Sequence, residues 1–520
     1  MAYIETDDTP NYGSSDKVTE ILKKYKEAQG VKDYWKDKFE EAYEYCLPNR
    51  ESFYDESPGQ KRTDKIFDET AVVGVQEFAS RLQAGITPTF ARWADFQAGS
   101  EIPPEQKPGI NQELDKITDY VFQVLQTSNF NQEIHEAFMD LAIGTGILLV
   151  EEGDAINPIK FTSVPLTRVC LMNGPDGKID TVYRTRTCKP DEIHLLYPKA
   201  KLPENFDPLK QKKDIKLIEA IYKIHEDNVE KYKFCVVMEN PKHILLEEEY
   251  SGDGSNPYLV FRWNKASGEV YGRGPVFNAM GAIKTCNLTI ELILQNAQMS
   301  VSGVYTYEDD GVINPDNISL VPGSLIPVAP GSKGLLPIQA ASNFDVAQLV
   351  LNDMRQNIKK ALYMEALGRP EGTPMTATEV SERMADLSRQ IGASFGRLQS
   401  ELINPLLRRI IRILSKQGRI DIPKVNGREV KIAPRSPLAQ AQHLQDVADV
   451  TRFNEIIAGT FGPQMINLIV DQNATAKYLA EKMNLPEKLI RDEEEQKQLA
   501  DRMTQLQQSA EEGGEAPPGA

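Results

Sequence analysis

Gly368-Arg369-Pro370-Glu371-Gly372-Thr373-Pro374-Met375-Thr376-Ala377-Thr378-Glu379-Val380 divides the stretch Asn343 to Gly418 into two helices of unequal length. Thr376 with Glu379 three residues on has capping-box spacing and marks the start of the second helix. Apolar residues then fall at Val380, Met384, Leu387, Ile391, Phe395, Leu398 and Leu402, in steps of three and four that keep one helical face. Pro405 interrupts, and the pattern resumes at Leu406, Ile410 and Ile413. Proline lacks the amide proton for one helical hydrogen bond, so a kink is expected there. The prediction is a bent helix of about 40 residues, where about 11–12 is ordinary. One continuous apolar face of that length requires a large partner surface.

The helix before the break carries Phe344, Val346, Val350, Met354, Ile358 and Leu362 on or near one face. A third helix precedes it, with Val276, Met280, Ile283, Asn287, Ile290, Leu294, Ala297 and Val301 on a heptad-like seam. Between Pro275 and Ser300 only Lys284 and Glu291 are charged, so that helix should be contacted on most sides. Between these two helices lies a Pro/Gly-punctuated, β-like insert with Tyr305-Thr306-Tyr307, Ile318 to Val321 and Ser324 to Val328.

Working outward, the chain begins with helices and continues with strands. Lys17 to Cys46, Asp68 to Ile86, Asn111 to Thr127 and Asn131 to Ile143 read as helical. Trp93 and Phe96 belong to a short segment expected to pack against the second of these. Gly144-Thr145-Gly146 then opens a strand, and turns at Asn173-Gly174 and Asp176-Gly177 point to a meander closed by Tyr258 to Trp263. The class is α+β, helices first and sheet second. After Gly418 comes a connector with a turn at Asn426-Gly427, then a helical end and an acidic Gly/Pro/Glu/Ala tail. Residues 1–15 and 509–520 have the composition of disordered segments.

The 520 residues carry 59 Lys and Arg against 76 Asp and Glu, a net charge of −17. That balance excludes a surface built to grip nucleic acid all over. It leaves room for a local basic ring or a passage through which nucleic acid slides. Five scattered cysteines with no CxxC pair fit a reducing compartment and buried thiols. The N-terminus lacks the pattern of a signal peptide, and no apolar run approaches the length of a membrane span. The sequons at Asn287, Asn317 and Asn473 stand without other signs of secretion. A soluble protein made inside the cell is expected.

No catalytic constellation emerges. Gly392-Ala393-Ser394-Phe395-Gly396 matches the nucleophile-elbow pattern, but that motif needs a strand-to-helix turn, and Ser394 falls mid-helix. Gly174-Pro175-Asp176-Gly177-Lys178 lacks phosphate-loop spacing and reads as a turn. The dispersed histidines offer no metal set. Asp309-Asp310 and Glu247-Glu248-Glu249 read as solvated carboxylates. The remaining candidates are basic. Arg355, Lys359 and Lys360 lie on the polar face before the break, and Arg369 lies within it. Arg408, Arg409, Arg412, Lys416 and Arg419 cluster at the end of the long helix, where positive charge suits the helix dipole.

The order of these elements, with Thr376-Ala377-Thr378-Glu379-Val380 and Arg383, Gly396-Arg397-Leu398-Gln399-Ser400-Glu401-Leu402, Pro405-Leu406-Leu407 with Arg409, Ser436-Pro437-Leu438-Ala439-Gln440-Ala441-Gln442 and Tyr271-Gly272-Arg273-Gly274-Pro275, resembles the portal, or head-to-tail connector, proteins of short-tailed bacteriophages (podovirus type). The resemblance implies a dodecameric ring (12-mer) at one capsid vertex in the virion. Through it double-stranded DNA enters during genome packaging and leaves during ejection. Implied partners are terminase, tail adaptor or nozzle proteins, major capsid protein and scaffolding or internal core proteins, with no membrane, cofactor, metal or enzymatic activity.

By the same resemblance, 1–273 is an α/β wing, 274–300 the first stem helix and 301–341 a small β-rich clip. Residues 342–366 form the second stem helix, 367–375 the tunnel loop, 376–432 the long kinked helix with its connector, and 433–508 an α-helical crown. Gly368, Arg369, Pro370, Glu371, Gly372, Thr373 and Pro374 would then face DNA, with Arg355, Lys359 and Lys360 on the stem. That loop has no net charge, since Arg369 offsets Glu371, which favours a mobile steric valve over a basic clamp. A ring of such chains would carry a charge of about −200, if formal charges add, and would repel DNA broadly. The alternatives are another oligomeric helical scaffold of the virion, which predicts no channel, and a nucleic-acid enzyme, which predicts a phosphate loop or clustered carboxylates.

Overall fold

The computed structural model describes residues 14–54, 63–98, 103, 107–203, 206, 213–224, 230–302, 305–306, 330, 336–337, 344–364, 392–421, 430–434, 437–462 and 469–482. Its first part is helical, with α1 (Ser14–Cys46), α2 (Thr70–Ile86), α3 (Lys107–Thr127) and α4 (Phe130–Ile143). Asp68 accepts the Thr70 amide at 2.8 Å, which starts α2 two residues later than its periodicity alone indicates. The Trp93 segment runs into a strand, β1 (Ala94–Ala98). It packs on α3 and α4 instead of α2, because Trp93 meets Phe122 edge to face and stacks on Phe130.

Between residues 145 and 262 the strands form two antiparallel sheets where a single meander was expected. The larger sheet is β4 (Val169–Asn173), β5 (Ile179–Cys188), β6 (Ile215–Ile224), β7 (Lys231–Met238) and β8 (His243–Ser251), in chain order. A short helix α5 (Ile193–Leu196) follows β5. The smaller sheet has the order β3 (Ile159–Ser163), β2 (Thr145–Glu152), β9 (Tyr258–Arg262). The sequence pattern explains the parting. The end of β8 carries Glu247, Glu248 and Glu249 and suits an exposed edge, whereas β9 is apolar enough to lie beside the buried strand β2. Glu219 on β6 ties the sheets together, accepting hydrogen bonds from Tyr258 on β9 and from Tyr197.

The half of α1 near its start covers one face of the larger sheet, packing Val18, Ile21, Leu22 and Tyr25 on Tyr183, Ile218 and Val237. A smaller cluster gathers Ile193, Tyr197, Leu217, Val236 and Leu245, and most other buried apolar residues join one core. It runs from Trp35 and Phe39 on α1 through α2, α4 and the smaller sheet to the helices after residue 270.

Those helices are α6 (Pro275–Ser302), α7 (Phe344–Ala361), α8 (Gly392–Leu398) and α9 (Asn404–Lys416). Two residue pairs, β10 (Tyr305–Thr306) and β11 (Leu336–Pro337), are hydrogen-bonded across the base of the insert. Ile318 to Val321 and Ser324 to Val328 lie outside the described residues, as does the start of the long helix from Thr376 to Ile391. Val276, Met280, Ile283 and Asn287 of the α6 seam are buried, but Leu294 is 52% exposed as the helix leaves the body. On α7 the buried positions are Leu351, Ile358 and Leu362, and Val350 turns outward.

One strand went unread in the sequence. β12 (Val430–Pro434) pairs antiparallel with β1, Ala94 opposite Pro434 and Ala98 opposite Val430. Helices α10 (Pro437–Phe461) and α11 (Gln472–Lys482) follow, and α10 packs along α2.

Candidate functional site

The long helix is laid across the smaller sheet by a run of polar bonds at helical spacing. Ser394 Oγ bonds Asn264 Oδ1 at 3.1 Å, and Arg397 donates to the Trp263 carbonyl at 3.1 Å. Glu401 takes the Arg262 amide at 3.0 Å and its guanidinium at 2.6 Å. Residues 394, 397 and 401 thus meet 264, 263 and 262 in reverse order. Ser394 is a buried helix residue hydrogen-bonded to an amide, which accounts for it without nucleophilic chemistry.

Ahead of Pro405, where a kink was expected, the helix changes its hydrogen-bond register. From Gln399 to Ile403 the backbone widens, and the Asn404 amide reaches back to the Gln399 carbonyl, five residues away. A helix that must pass a residue without an amide proton accommodates it by this shift of register. Both flanks keep helical dihedrals, so the apolar face continues through Leu402, Leu406, Ile410 and Ile413.

Beyond the bend, the basic cluster clamps loops. Arg409 is buried and donates to the carbonyls of Val150, Gly254 and Ser255 at 3.2–3.3 Å. Burial brings its pKa down to about 10. Arg412 bonds the Asp253 and Ser251 carbonyls, Arg408 the Asp253 carboxylate, Lys416 Glu152, and Arg419 the Ala155 carbonyl. The sequence reading gave these residues to the helix dipole. Their actual partners are the loop between β8 and β9 and the β2–β3 hairpin, and the signal was their spacing at 408, 412, 416 and 419 on one face. A polar cleft of about 440 Å³ lies beside the bend, between Asp180, Lys223, Asp253, Asn404 and Arg408.

Two backbones touch where the first part of the chain meets α6. A Cβ on Gly144 would stand 2.1 Å from the Gly272 carbonyl oxygen, and one on Gly274 would stand 2.1 Å from that of Ala142. Gly272 N donates to Thr145 Oγ1 at 2.8 Å, and Gly274 N to the Ile143 carbonyl at 2.7 Å. The close approach accounts for glycine at these positions in Gly144-Thr145-Gly146 and Gly272-Arg273-Gly274.

Next, α6 and α7 are tied to the start of α2. Asn287, 6% exposed on the α6 seam, accepts the amides of Phe67 and Asp68 and donates to the Lys65 carbonyl at 2.6 Å. Its burial rules out glycan attachment in this fold. Arg355 Nε donates to Asp68 Oδ2 at 2.8 Å. Burial alone would raise the Asp68 pKa, but hydrogen bonds from Thr70 and Arg355 outweigh it and hold the carboxyl below its ordinary value. Of the three basic residues singled out on α7, Arg355 is therefore engaged inside the chain, while Lys359 and Lys360 are exposed.

The end of α7 precedes the Gly/Pro break. Met364 N reaches the Lys359 carbonyl at 2.8 Å and Tyr363 N that of Lys360 at 3.2 Å, the pattern of a helix closed by a left-handed residue. That residue is Tyr363, with φ of 57°. Glycine adopts this conformation freely, whereas another residue loses about 1 kcal/mol. Gly368, Arg369, Pro370, Glu371, Gly372, Thr373 and Pro374 lie outside the described residues.

Among the described residues no group of His, Cys, Asp or Glu could hold a metal ion, and no helix is long and apolar enough to cross a membrane. Glu247 and Glu248 pair with Lys233 and Lys199 on the edge of the larger sheet, and Asp309-Asp310 lies outside the described residues. Gly174 to Lys178 is the turn between β4 and β5, with the Gly174 amide on the Lys178 carbonyl. All five cysteines are buried, and burial pushes the thiol of Cys46 up to about 12 and that of Cys286 up to about 11.

A long helix bent across a two-sheet body, with two more helices projecting from the same body, defines a structural class, and comparison with known proteins gives the family. The family described as bacteriophage head to tail connecting protein matches residues 18–490. The chain belongs to that family. It is 23% identical over 526 residues to a probable portal protein of Bordetella phage BPP-1, covering 94% of this chain and 92% of that one. It is 22% identical to the portal protein of Salmonella phage epsilon15 over 74% of this chain and 72% of that one. With the portal protein of Escherichia phage T7 the figures are 21%, 68% and 66%. Among solved structures, a chain from the neck of an empty gene transfer agent (GTA) particle matches 80% of this chain and 92% of its own, with a TM-score of 0.34 and 14% identity.

Proposed function

We propose that copies of this chain form the portal of a bacteriophage head, a dodecameric ring at one capsid vertex that joins head to tail. The observation that carries this is the family match, which runs from α1 past α11. A surface feature supports assembly. Leu288 and Leu292 on α6 are 56% and 55% exposed, and Leu349 on α7 is 66% exposed. Leucines on helices that project from the body suit contact with a neighbouring copy. In this reading the body before residue 273 is the wing, 274–300 and 342–366 the stem, 301–341 the clip and 433–508 the crown.

Double-stranded DNA passes through the ring during packaging and ejection, terminase docks first and tail adaptor or nozzle proteins later, and capsid and scaffolding or core proteins surround it. The chain is made in the host cytoplasm and hydrolyses nothing itself. Residues 368–374 face the DNA, and Lys359 and Lys360 add weak phosphate contacts. Arg355 adds less, since Asp68 already offsets its charge. A net charge of −17 per chain repels DNA from the rest of the ring, which suits a passage that must release its cargo.

Imaging of the purified protein by electron microscopy tests the ring. Twelvefold rings with an axial hole are expected, and solid or open helical assemblies would overturn the reading. Deleting 368–374 tests the loop: DNA packaging or retention should fall, and unchanged virions would remove the loop from the channel.

A further inference from the structure

The strained cap at the end of α7 lies in a groove made for it on α2. Gly74, Phe78 and Arg81 follow one another at helical spacing along α2. At Gly74 a Cβ would stand 2.5 Å from Leu362 Cδ1 and 3.2 Å from Met364 Sδ, so a larger residue there would push these two side chains aside. The Tyr363 ring packs against Phe78 and Trp263, with centroids 6.5 and 5.7 Å away. Arg81 closes the groove, donating to the Tyr363 carbonyl at 3.2 Å and to the Met364 carbonyl, while Glu77 holds its other nitrogen at 3.0 Å. Leu362 is fully buried.

A left-handed tyrosine persists only where its surroundings over-determine it, and such outliers concentrate where a chain must be held in one place. Glycine at 363 would end the helix without strain but would leave the exit direction loose. Here the side chain is kept and its ring, carbonyl and neighbours are all engaged. The helix to which it is fastened also packs against α4 and α10.

We propose that Tyr363 and Arg81 are positioning residues for genome passage: with Gly74 and Phe78 they fix the point and direction at which the chain leaves α7 toward the DNA-facing segment. This rests on the reading of 368–374 as that segment.

The test uses the full chain, as assembled rings and in phage complemented with each variant. Tyr363→Gly keeps the backbone conformation and removes the ring contacts. Tyr363→Asn, which also tolerates that conformation, repeats the measurement should the glycine variant fold poorly. Tyr363→Phe retains the packing, and Arg81→Gln removes the charged clasp. For Tyr363→Gly and Arg81→Gln the expectation is normal ring number, amide exchange at 362–364 faster by about tenfold or more, and packaged DNA reduced several-fold, with Tyr363→Phe close to the wild type. Unchanged exchange, or DNA yield that falls only in step with ring number, would overturn the proposal. A loss of packaging on deleting 368–374 with normal packaging in Tyr363→Gly removes the anchor alone. A harmless deletion removes the DNA-facing reading, and the functional role of the cap with it.

Discussion

Asp140 shows how one residue records the cost of joining α1 to α4. It is buried, takes the Tyr43 hydroxyl at 2.9 Å, and lies 3.6 Å from Arg50 Nε. Its Oδ2 has no hydrogen-bond donor among the described residues. Burial, only partly offset by Arg50 and Tyr43, raises its pKa from 3.8 to about 6. Between those values the folded chain binds more protons than the unfolded one, so this group's contribution to stability falls as pH rises through the window. The penalty is present above the folded pKa and relieved as pH falls toward the unfolded one. Asp140→Asn removes the titration. Relative to the wild type at the same protomer concentration, the variant should therefore gain about 2 kcal/mol between about pH 4.5 and pH 7. Denaturant unfolding at both pH values measures this, and parallel pH profiles for the two proteins would contradict it.

At the scale of elements, the long helix is held by a pair that its periodicity does not show. Glu401 lies within the widened turn, and its partner Arg262 is 2% exposed. Glu401→Ala leaves the guanidinium without its carboxylate, and removing one partner of a buried pair costs about 3–5 kcal/mol. Thermal melting of the variant should show that loss, while Glu401→Gln, which keeps an acceptor for the Arg262 amide, should recover part of it. Equal stability of Glu401→Ala and wild type would mean that the apolar face alone seats the helix.

The period of three and four residues told where that face lies, because burial of Leu402, Leu406, Ile410 and Ile413 follows directly from it. It could not tell that Arg409 lies inside, since an arginine at the end of a helix reads as solvated until one strand carbonyl, of residue 150, and two loop carbonyls, of 254 and 255, are brought to it. The β1–β12 pair was illegible for a similar reason. Neither segment has a neighbour in sequence with which to form a hairpin, and some 330 residues separate them. The division of β2 to β9 into two sheets was likewise invisible locally, because β9 leaves β8, its neighbour in sequence, unpaired and pairs with the distant β2.

For the whole molecule, the exposed leucines are what an isolated chain leaves unpaired. Leu288→Lys with Leu292→Lys puts two charges where a neighbouring copy is expected, and burying each leucine is worth about 1.5–3 kcal/mol. The double variant should stay folded, since both side chains are more than half exposed, and should sediment as protomers instead of rings. Rings of normal size would move the contact between copies away from this face of α6.

By itself, the sequence determined most of the described helices, the irregularity at Pro405 and the resemblance to head-to-tail connectors, because each is written in short-range periodicity, turn chemistry and residue order. Only the tertiary structure decided how those pieces are held. It turned a basic cluster into clamps on the β8–β9 loop and the β2–β3 hairpin and bound Arg355 to Asp68. It brought Gly144 and Gly272 into backbone contact, and it set a left-handed Tyr363 in a groove on α2. These are meetings of residues distant in sequence. Their energies come from desolvation and geometry that exist only once the chain has closed on itself.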